Sequence, residues 1–282
     1  MLRINNLCYK YDLDSGDFIL NNINLSANNG DIIGVVGKTG SGKSTLLQII
    51  SNILKPSSGE IFLDNKNIHK EFNDFKKLFS NIGIVFQCPE EQIFAQTVFD
   101  DISFGLKNLG KSNAKIKIAV NEISDLLLID KNILHKSVFE LSGGEKRKCA
   151  IAGVLVSKPK ILLLDEPTAA LDFKTKNNLL KSIKEYKNSQ NGIIFFISHN
   201  MQEVLSVCNK VLALNNGNQI FYGDTKKFFE DEKALKEADI DIPDLLKLKN
   251  IINKNGYDFL SEISTSQDFV DEILNFLNYK GK

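Results

Sequence analysis

Gly37-Lys38-Thr39-Gly40-Ser41-Gly42-Lys43-Ser44-Thr45 fits the spacing G-x-x-x-x-G-K-[ST] and constrains the chain more than any other stretch. An apolar, β-branched run precedes it, Asp31-Ile32-Ile33-Gly34-Val35-Val36, and reads as a buried strand. Leu46-Leu47-Gln48-Ile49-Ile50 follows and reads as the opening of a helix. Strand, glycine loop and helix in that order make a phosphate-binding loop. Glycines let the backbone curl so that successive N–H groups face one anion. The helix N-terminus adds its partial positive charge at the same point. Lys43 is placed to reach β- and γ-phosphates, and the Ser44 hydroxyl to ligate Mg²⁺. A plain glycine turn would not need a lysine and a hydroxyl at those offsets.

The 282 residues suffice for one large domain with an appendage, or for two domains. Formal net charge is +0, which argues against a sequence-independent grip on nucleic acid. No apolar run approaches the ~20 residues that span a bilayer. The first residues, Met1-Leu2-Arg3-Ile4-Asn5-Asn6, lack the apolar core of a secretory signal, so a cytosolic chain is expected, with a membrane partner still open. Cys8, Cys88, Cys149 and Cys208 are scattered without a C-x-x-C pair and read as reduced thiols, several in core positions.

Strand alternation opens the chain at Leu2-Ile4 and Leu7-Tyr9-Tyr11, with a hairpin loop over Asp12 to Asp17 and a second strand pattern over Phe18 to Leu25. Ile61-Phe62-Leu63 adds another strand, so an antiparallel sheet flanks the nucleotide strand. Ile82 to Phe86 is a buried strand ending at Gln87. From about Pro89 to Lys158 the period becomes helical, as in Ile116-Ala119-Val120-Ile123-Leu126-Leu127. Ile161 to Leu164 and Ile193 to Ile197 are continuous apolar runs, the mark of parallel strands covered on both faces. A closing hairpin is expected over Val211 to Tyr222, turning at Asn216-Gly217-Asn218. Lys227 to Ala238, Asp244 to Lys254 and Phe269 to Leu277 read as amphipathic helices of a C-terminal extension. His69 and His135 fall in no motif and read as surface or structural residues.

Three further clusters carry chemistry. Leu141-Ser142-Gly143-Gly144-Glu145 is a turn into a helix that offers N–H groups, a hydroxyl and a helix dipole to an anion. Asp165 and Glu166 end a buried strand. There Asp165 can hold Mg²⁺ through its water shell, and Glu166 can take the proton of an attacking water. Ser198-His199 lies just past another buried strand. Together these residues resemble the ATP-binding-cassette (ABC) ATPases. Residues 141–145 match the family's signature motif, with Glu145 where glutamine is commoner. Asp165-Glu166-Pro167-Thr168 match the Walker B motif and its extension, and Ala170-Leu171-Asp172 the D-loop, with Ala170 where glycine or serine is common. Gln87 and His199 match the Q-loop and H-loop, and Tyr11 the aromatic that stacks on adenine. A finer resemblance is to the ATPases of energy-coupling-factor transporters, and to the second of their two paralogues. It rests on Val85 to Phe94, Thr97-Val98, Ile102 to Gly105, Phe139-Glu140, Ala150 to Leu155 and Ile240-Asp241-Ile242-Pro243.

The resemblance implies an α/β fold: a P-loop core with an antiparallel β subdomain, a helical insert and a C-terminal helical extension. The ABC ATPase domain is expected at residues 1–223, its helical subdomain at about 89–158, and the extension, a possible dimerisation element, at 224–282. It implies ATP and Mg²⁺ as ligands. Gly37, Lys38, Thr39, Gly40, Ser41, Gly42, Lys43, Ser44 and Thr45 hold the phosphates, with Ser44, Gln87 and Asp165 at the metal. Glu166 is the general base, Gln87 contacts metal or water, and His199 holds the γ-phosphate and orients the water. Ser142, Gly143, Gly144 and Glu145 complete the site of a partner ATPase, and Asp172 acts across the same dimer. The implied partners are a second ABC ATPase (heterodimer or homodimer), a transmembrane coupling protein and a small membrane substrate-binding protein. Nucleic acid is not among them. The chain would lie at the cytoplasmic face of the membrane and power uptake of a vitamin or transition-metal ion. Pro89 to Val98 is the candidate lip for the coupling protein, with Ile93, Phe94 and Val98 as apolar contacts; the same side chains could instead fill the local core. The competing readings are another ABC importer and a soluble non-transport ABC ATPase. Against the latter, the chain carries a single cassette and no heptad tract.

Overall fold

The computed structural model describes residues 1–12, 16–72, 74–255 and 265–280. Strands β1 (Leu2–Tyr9) and β2 (Leu20–Ala27) pair antiparallel and alternate buried with exposed positions, as half-covered strands do. The hairpin loop expected over Asp12 to Asp17 lies partly outside the described residues. β3 (Ile32–Val36) is buried throughout and leads through the glycine loop into α1 (Lys43–Ile50). β4 (Ser58–Leu63) and the short β5 (Lys66–Asn67) complete the antiparallel sheet. Two short helices not expected from sequence, α2 (Ile68–Glu71) and α3 (Phe75–Asn81), lead to β6 (Ile82–Val85). Each begins at an Asx cap, Asn67 and Asp74, whose side chain accepts backbone N–H bonds of the first turn.

The helical insert contains α4 (Val98–Asn108), α5 (Asn113–Leu126) and α6 (Gly143–Leu155), with 3₁₀ turns at Pro89–Gln92, Lys131–Ile133 and Val138–Glu140. The core then resumes with β7 (Ile161–Asp165), α7 (Phe173–Gln190), β8 (Ile193–Ile197), α8 (Met201–Val207) and the hairpin β9 (Lys210–Asn215) and β10 (Asn218–Asp224). Among the described residues the strand order is β5-β4-β1-β2-β10-β9-β3-β8-β7-β6. β9, β3, β8, β7 and β6 run parallel.

Two hydrophobic cores lie on opposite faces of this parallel sheet. Leu162 and Leu164 of β7 and Ile194 and Phe196 of β8 enter the core shared with the helical insert, α7 and α8. Their neighbours Ile161, Leu163, Ile193, Phe195 and Ile197 enter the core shared with α1 and the antiparallel strands. The period of two, with both faces covered, produces the unbroken apolar runs. Each fully buried Phe or Leu contributes about 1.5–3 kcal/mol of transfer free energy. Cys149 and Cys208 are core thiols; burial pushes Cys149 up to about 12 and Cys208 higher still.

The helix expected over Lys227 to Ala238 is two helices, α9 (Thr225–Glu230) and α10 (Glu232–Ala238). Asp231, extended at ψ 90°, ends the first and caps the second by accepting the Ala234 N–H at 2.9 Å. The break lets Phe228, Phe229, Leu235 and Ala238 all join the core on the helical face of the sheet. α11 (Asp244–Lys254) buries no residue, and Leu248 and Ile251 are exposed on it. α12 (Ser266–Lys280) exposes Val270 and Leu274, and its final residues lie outside the described side chains. Among the described residues no helix is long and apolar enough to cross a membrane.

Candidate active site and family

The glycine loop sits at the end of β3, which lies between β9 and β8 in the parallel array. Gly37 has φ +141°, and a side chain there would meet the Leu214 carbonyl. Gly42, the N-cap of α1, has φ +98°, and a Cβ would press on Leu20 and on the Ile19 carbonyl. Glycine is required at both positions, by conformation and by space. The Lys43 ammonium is buried and donates to the carbonyls of Gly37 and Lys38, each at 2.8 Å, so it is folded back over the mouth of the loop. Burial lowers its pKa, against the opposing pull of Asp165 and Glu166.

Walker B places its acids against this loop. The Ser44 hydroxyl hydrogen-bonds Asp165, so one hydroxyl and one carboxylate oxygen converge below the phosphate cradle. Burial pushes the Asp165 carboxyl up, and Glu166 adds to that, against Ser44, Lys43 and His199. Glu166 stands at φ +49°, a left-handed conformation that costs about 1–3 kcal/mol and clusters at functional sites. Its amide donates to the Ile197 carbonyl at 3.1 Å, tying the end of β7 to the end of β8. Glu166 Oε1 lies 2.9 Å from His199 Nε2, and Gln87 Nε2 donates to Glu166 Oε2 at 3.4 Å. The residues expected from sequence to act together are therefore brought together on one carboxylate.

Two protein oxygens suit Mg²⁺, which keeps waters and phosphate oxygens as its other ligands. The buried Ser41 hydroxyl, within the glycine loop, has no hydrogen-bond partner within the protein and is left available to an anion. Ser44 and Asp165 thus fit the metal, and the loop fits a polyphosphate. A metal needs Asp165 deprotonated, and its raised pKa means that protonation starts at higher pH than for an exposed aspartate. Mg²⁺-dependent nucleotide binding is therefore expected to weaken as pH falls through that raised value. Fluorescence titration with a labelled nucleotide, with and without Mg²⁺, should show the loss, and Asp165→Asn should remove the Mg²⁺ dependence at every pH. A flat pH profile would contradict the assignment.

Tyr11 lies beyond the end of β1, with its ring 65% exposed and its hydroxyl 3.3 Å from Thr45 Oγ1. Tyr9, still in the strand, is buried and meets Tyr11 edge-on at 5.0 Å. The strand ends between them, so their alternation does not continue and only Tyr11 offers a free face beside the loop.

The signature turn makes its hydrogen bonds within itself. Ser142 caps α6, and its hydroxyl donates to Glu145 Oε2 at 2.6 Å while Glu145 accepts the Ser142 amide at 2.9 Å. This capping box takes glutamate as readily as glutamine, which accounts for Glu145. The Ser142 hydroxyl holds the Glu145 carboxyl below its usual range. Side chains added at Gly143 or Gly144 would meet nothing within 4 Å. Nothing in this chain demands glycine there. Asp172 caps α7 through Lys174 and Thr175, whose bonds lower its pKa.

Sequence reasoning missed Arg147. It is 5% exposed on α6 and donates to the backbone carbonyls of Gln87 and Ala169, joining the Q-loop to the turn before the D-loop. Within the run Lys146-Arg147-Lys148 it reads as solvated, yet its spacing of three and four to Ala150 and Ile151 puts it on the buried face.

A glycine cradle, a metal-binding hydroxyl–carboxylate pair, and a glutamate backed by histidine and glutamine define a P-loop ATPase of the cassette type. Residues 20–169 match the ABC transporter family model. The chain is 36% identical over 278 residues to "Energy-coupling factor transporter ATP-binding protein EcfA2" of Caldanaerobacter subterraneus, covering 98% of this chain and 97% of that one. It is 35% identical to the Clostridium tetani protein of the same name, covering 99% and 98%. Among solved structures, cbiO1 of Clostridium perfringens, described as part of the ABC transporter complex cbiONQ, matches at 34% identity and TM-score 0.75, covering 91% of this chain and 98% of that one. A dimeric ABC cassette, MJ0796, bound to ADP and Pi matches at 25% identity and TM-score 0.71, covering 80% and 99%. The chain belongs to the ABC transporter family, among the ATP-binding subunits of energy-coupling factor transporters.

Proposed function

We propose that this chain hydrolyses ATP at the cytoplasmic face of a membrane, paired with a second ABC ATPase, and so powers import of a vitamin or transition-metal ion through a membrane coupling protein. The observation that carries the chemistry is Glu166, bonded to His199 and within reach of Gln87, beside a P-loop lysine. Lys43 and the loop amides bind the phosphates. Glu166 accepts the proton of the water that attacks the γ-phosphorus, and ADP departs as the leaving group. His199 holds that water and the γ-phosphate in line. Ser44 and Asp165, with Gln87, would hold Mg²⁺, which would supply charge neutralisation on the phosphates.

The open space at Gly143 and Gly144 supports a site shared between two subunits. The signature turn presents bare backbone and a helix N-terminus outward, suited to the γ-phosphate held by a partner. ATP then favours the closed pair because it binds that state better. Glu166→Gln is the direct test of the chemistry.

The exposed apolar residues of α11 and α12 support pairing through the extension. α9 and α10 are built into the catalytic core, so the informative truncation starts beyond them. Removing residues 244–282 is expected to abolish the nucleotide-free dimer, read by light scattering, while the ATP-induced pair of a Glu166→Gln chain still forms. A truncated chain that remains dimeric without nucleotide would contradict this role.

A further inference from the structure

Glu203, on α8, is 4% exposed, and its carboxylate makes three contacts. Oε2 accepts the Thr168 hydroxyl at 2.7 Å and the Ser198 hydroxyl at 2.9 Å, and Oε1 pairs with Lys176 Nζ at 3.0 Å. Thr168 follows Glu166 by two residues, Ser198 immediately precedes His199, and Lys176 lies one turn into α7 beyond Asp172. The Ser198 oxygen also accepts the Asn200 amide at 3.0 Å, and the Asn200 side chain caps α8. One buried carboxylate thus grips the segment carrying the proposed base, the segment carrying the histidine, and the helix that starts at the D-loop.

We infer that Glu203 is a positioning residue for hydrolysis, which sets the separation of Glu166 and His199 without touching ATP. The inference rests on the assignment of Glu166 and His199 proposed above. Two arguments carry it. A buried ion pair contributes little to stability over an apolar pair of the same shape, because desolvation offsets the attraction. It does fix geometry, since every lone pair and donor in the cluster has one arrangement that satisfies it. Glu166 is held in a left-handed conformation on a loop, and His199 is half exposed on another. The Glu166 amide bond to the Ile197 carbonyl joins the strand ends, while Glu203 fixes the residues beyond them, and a misplacement there of about 1 Å can cost about 10²-fold in rate.

The test uses the full-length chain with the partners that co-purify with it, reading steady-state ATP turnover. Glu203→Gln keeps the shape but turns an amide NH₂ toward Lys176 or toward the hydroxyls. It is expected to lower kcat by about 10²-fold with KM for ATP unchanged, because the P-loop is untouched. Added to His199→Ala it should cost little more, since both act through the same pair. If Glu203→Gln does not fold, Ser198→Ala and Thr168→Val each remove one grip and should each cost about tenfold in kcat, the worth of one hydrogen bond to a charged group. Unchanged kcat, a rise in KM alone, or full additivity with His199→Ala would overturn the inference. Turnover that survives Glu166→Gln would instead overturn the reading on which it rests.

Discussion

Glu166→Gln is expected to lower ATP turnover by about 10²–10⁴-fold while ATP binding and folding stay intact, the range that a positioned general base supplies. The substitution keeps the shape of the side chain and removes its basicity. The amide can still accept from His199 or Gln87, so the contacts at 2.9 and 3.4 Å are not replaced by a hole. The substitution leaves Lys43 and the glycine loop unchanged, which is why binding should persist. ATP should then accumulate in the closed pair, seen as a nucleotide-dependent increase in mass once residues 244–282 are removed from the variant. Turnover within a few-fold of the unmodified chain would show that the water loses its proton elsewhere.

Phe94→Asp is expected to abolish assembly with the membrane coupling protein and leave the isolated chain folded. Phe94 is 63% exposed and packs edge-to-face on the exposed Phe104 at 4.6 Å. The buried Asp101 carboxylate holds the backbone beneath it, accepting the amides of Phe94 and Ala95 at 3.0 and 3.1 Å. A rigidly presented aromatic of this kind is worth about 2 kcal/mol or more at an interface, and a carboxylate in its place would be buried unpaired. Co-purification of the variant from solubilised membranes should fall below detection while its melting temperature stays unchanged. Normal assembly would contradict a docking role for Phe94. The neighbouring Val98 is fully buried and Ile93 packs on the core, so of the three apolar contacts expected from sequence only Phe94 is exposed.

The parts that could be read before the structure share a physical cause. β7 and β8 announce themselves as apolar runs because both faces are covered, and the glycine loop because its conformation admits few residue types. Gln87, Glu166 and His199 meet because each ends or follows one of three neighbouring parallel strands, β6, β7 and β8. What escaped notice depends on tertiary context. α2 and α3 are too short for a periodic pattern to register. Asp231 splits a continuous amphipathic pattern because a local cap competes with helix continuation. Arg147 and Glu203 sit in polar stretches that look solvated, and only packing shows that their charges are buried.

Affinity purification of the full-length chain from detergent-solubilised membranes, with mass spectrometry of what accompanies it, tests the transport role. A second ABC ATPase together with a multi-span membrane protein is expected, with ATP turnover by the recovered complex. Recovery of soluble proteins alone would contradict the transport role and leave only the ATPase chemistry standing.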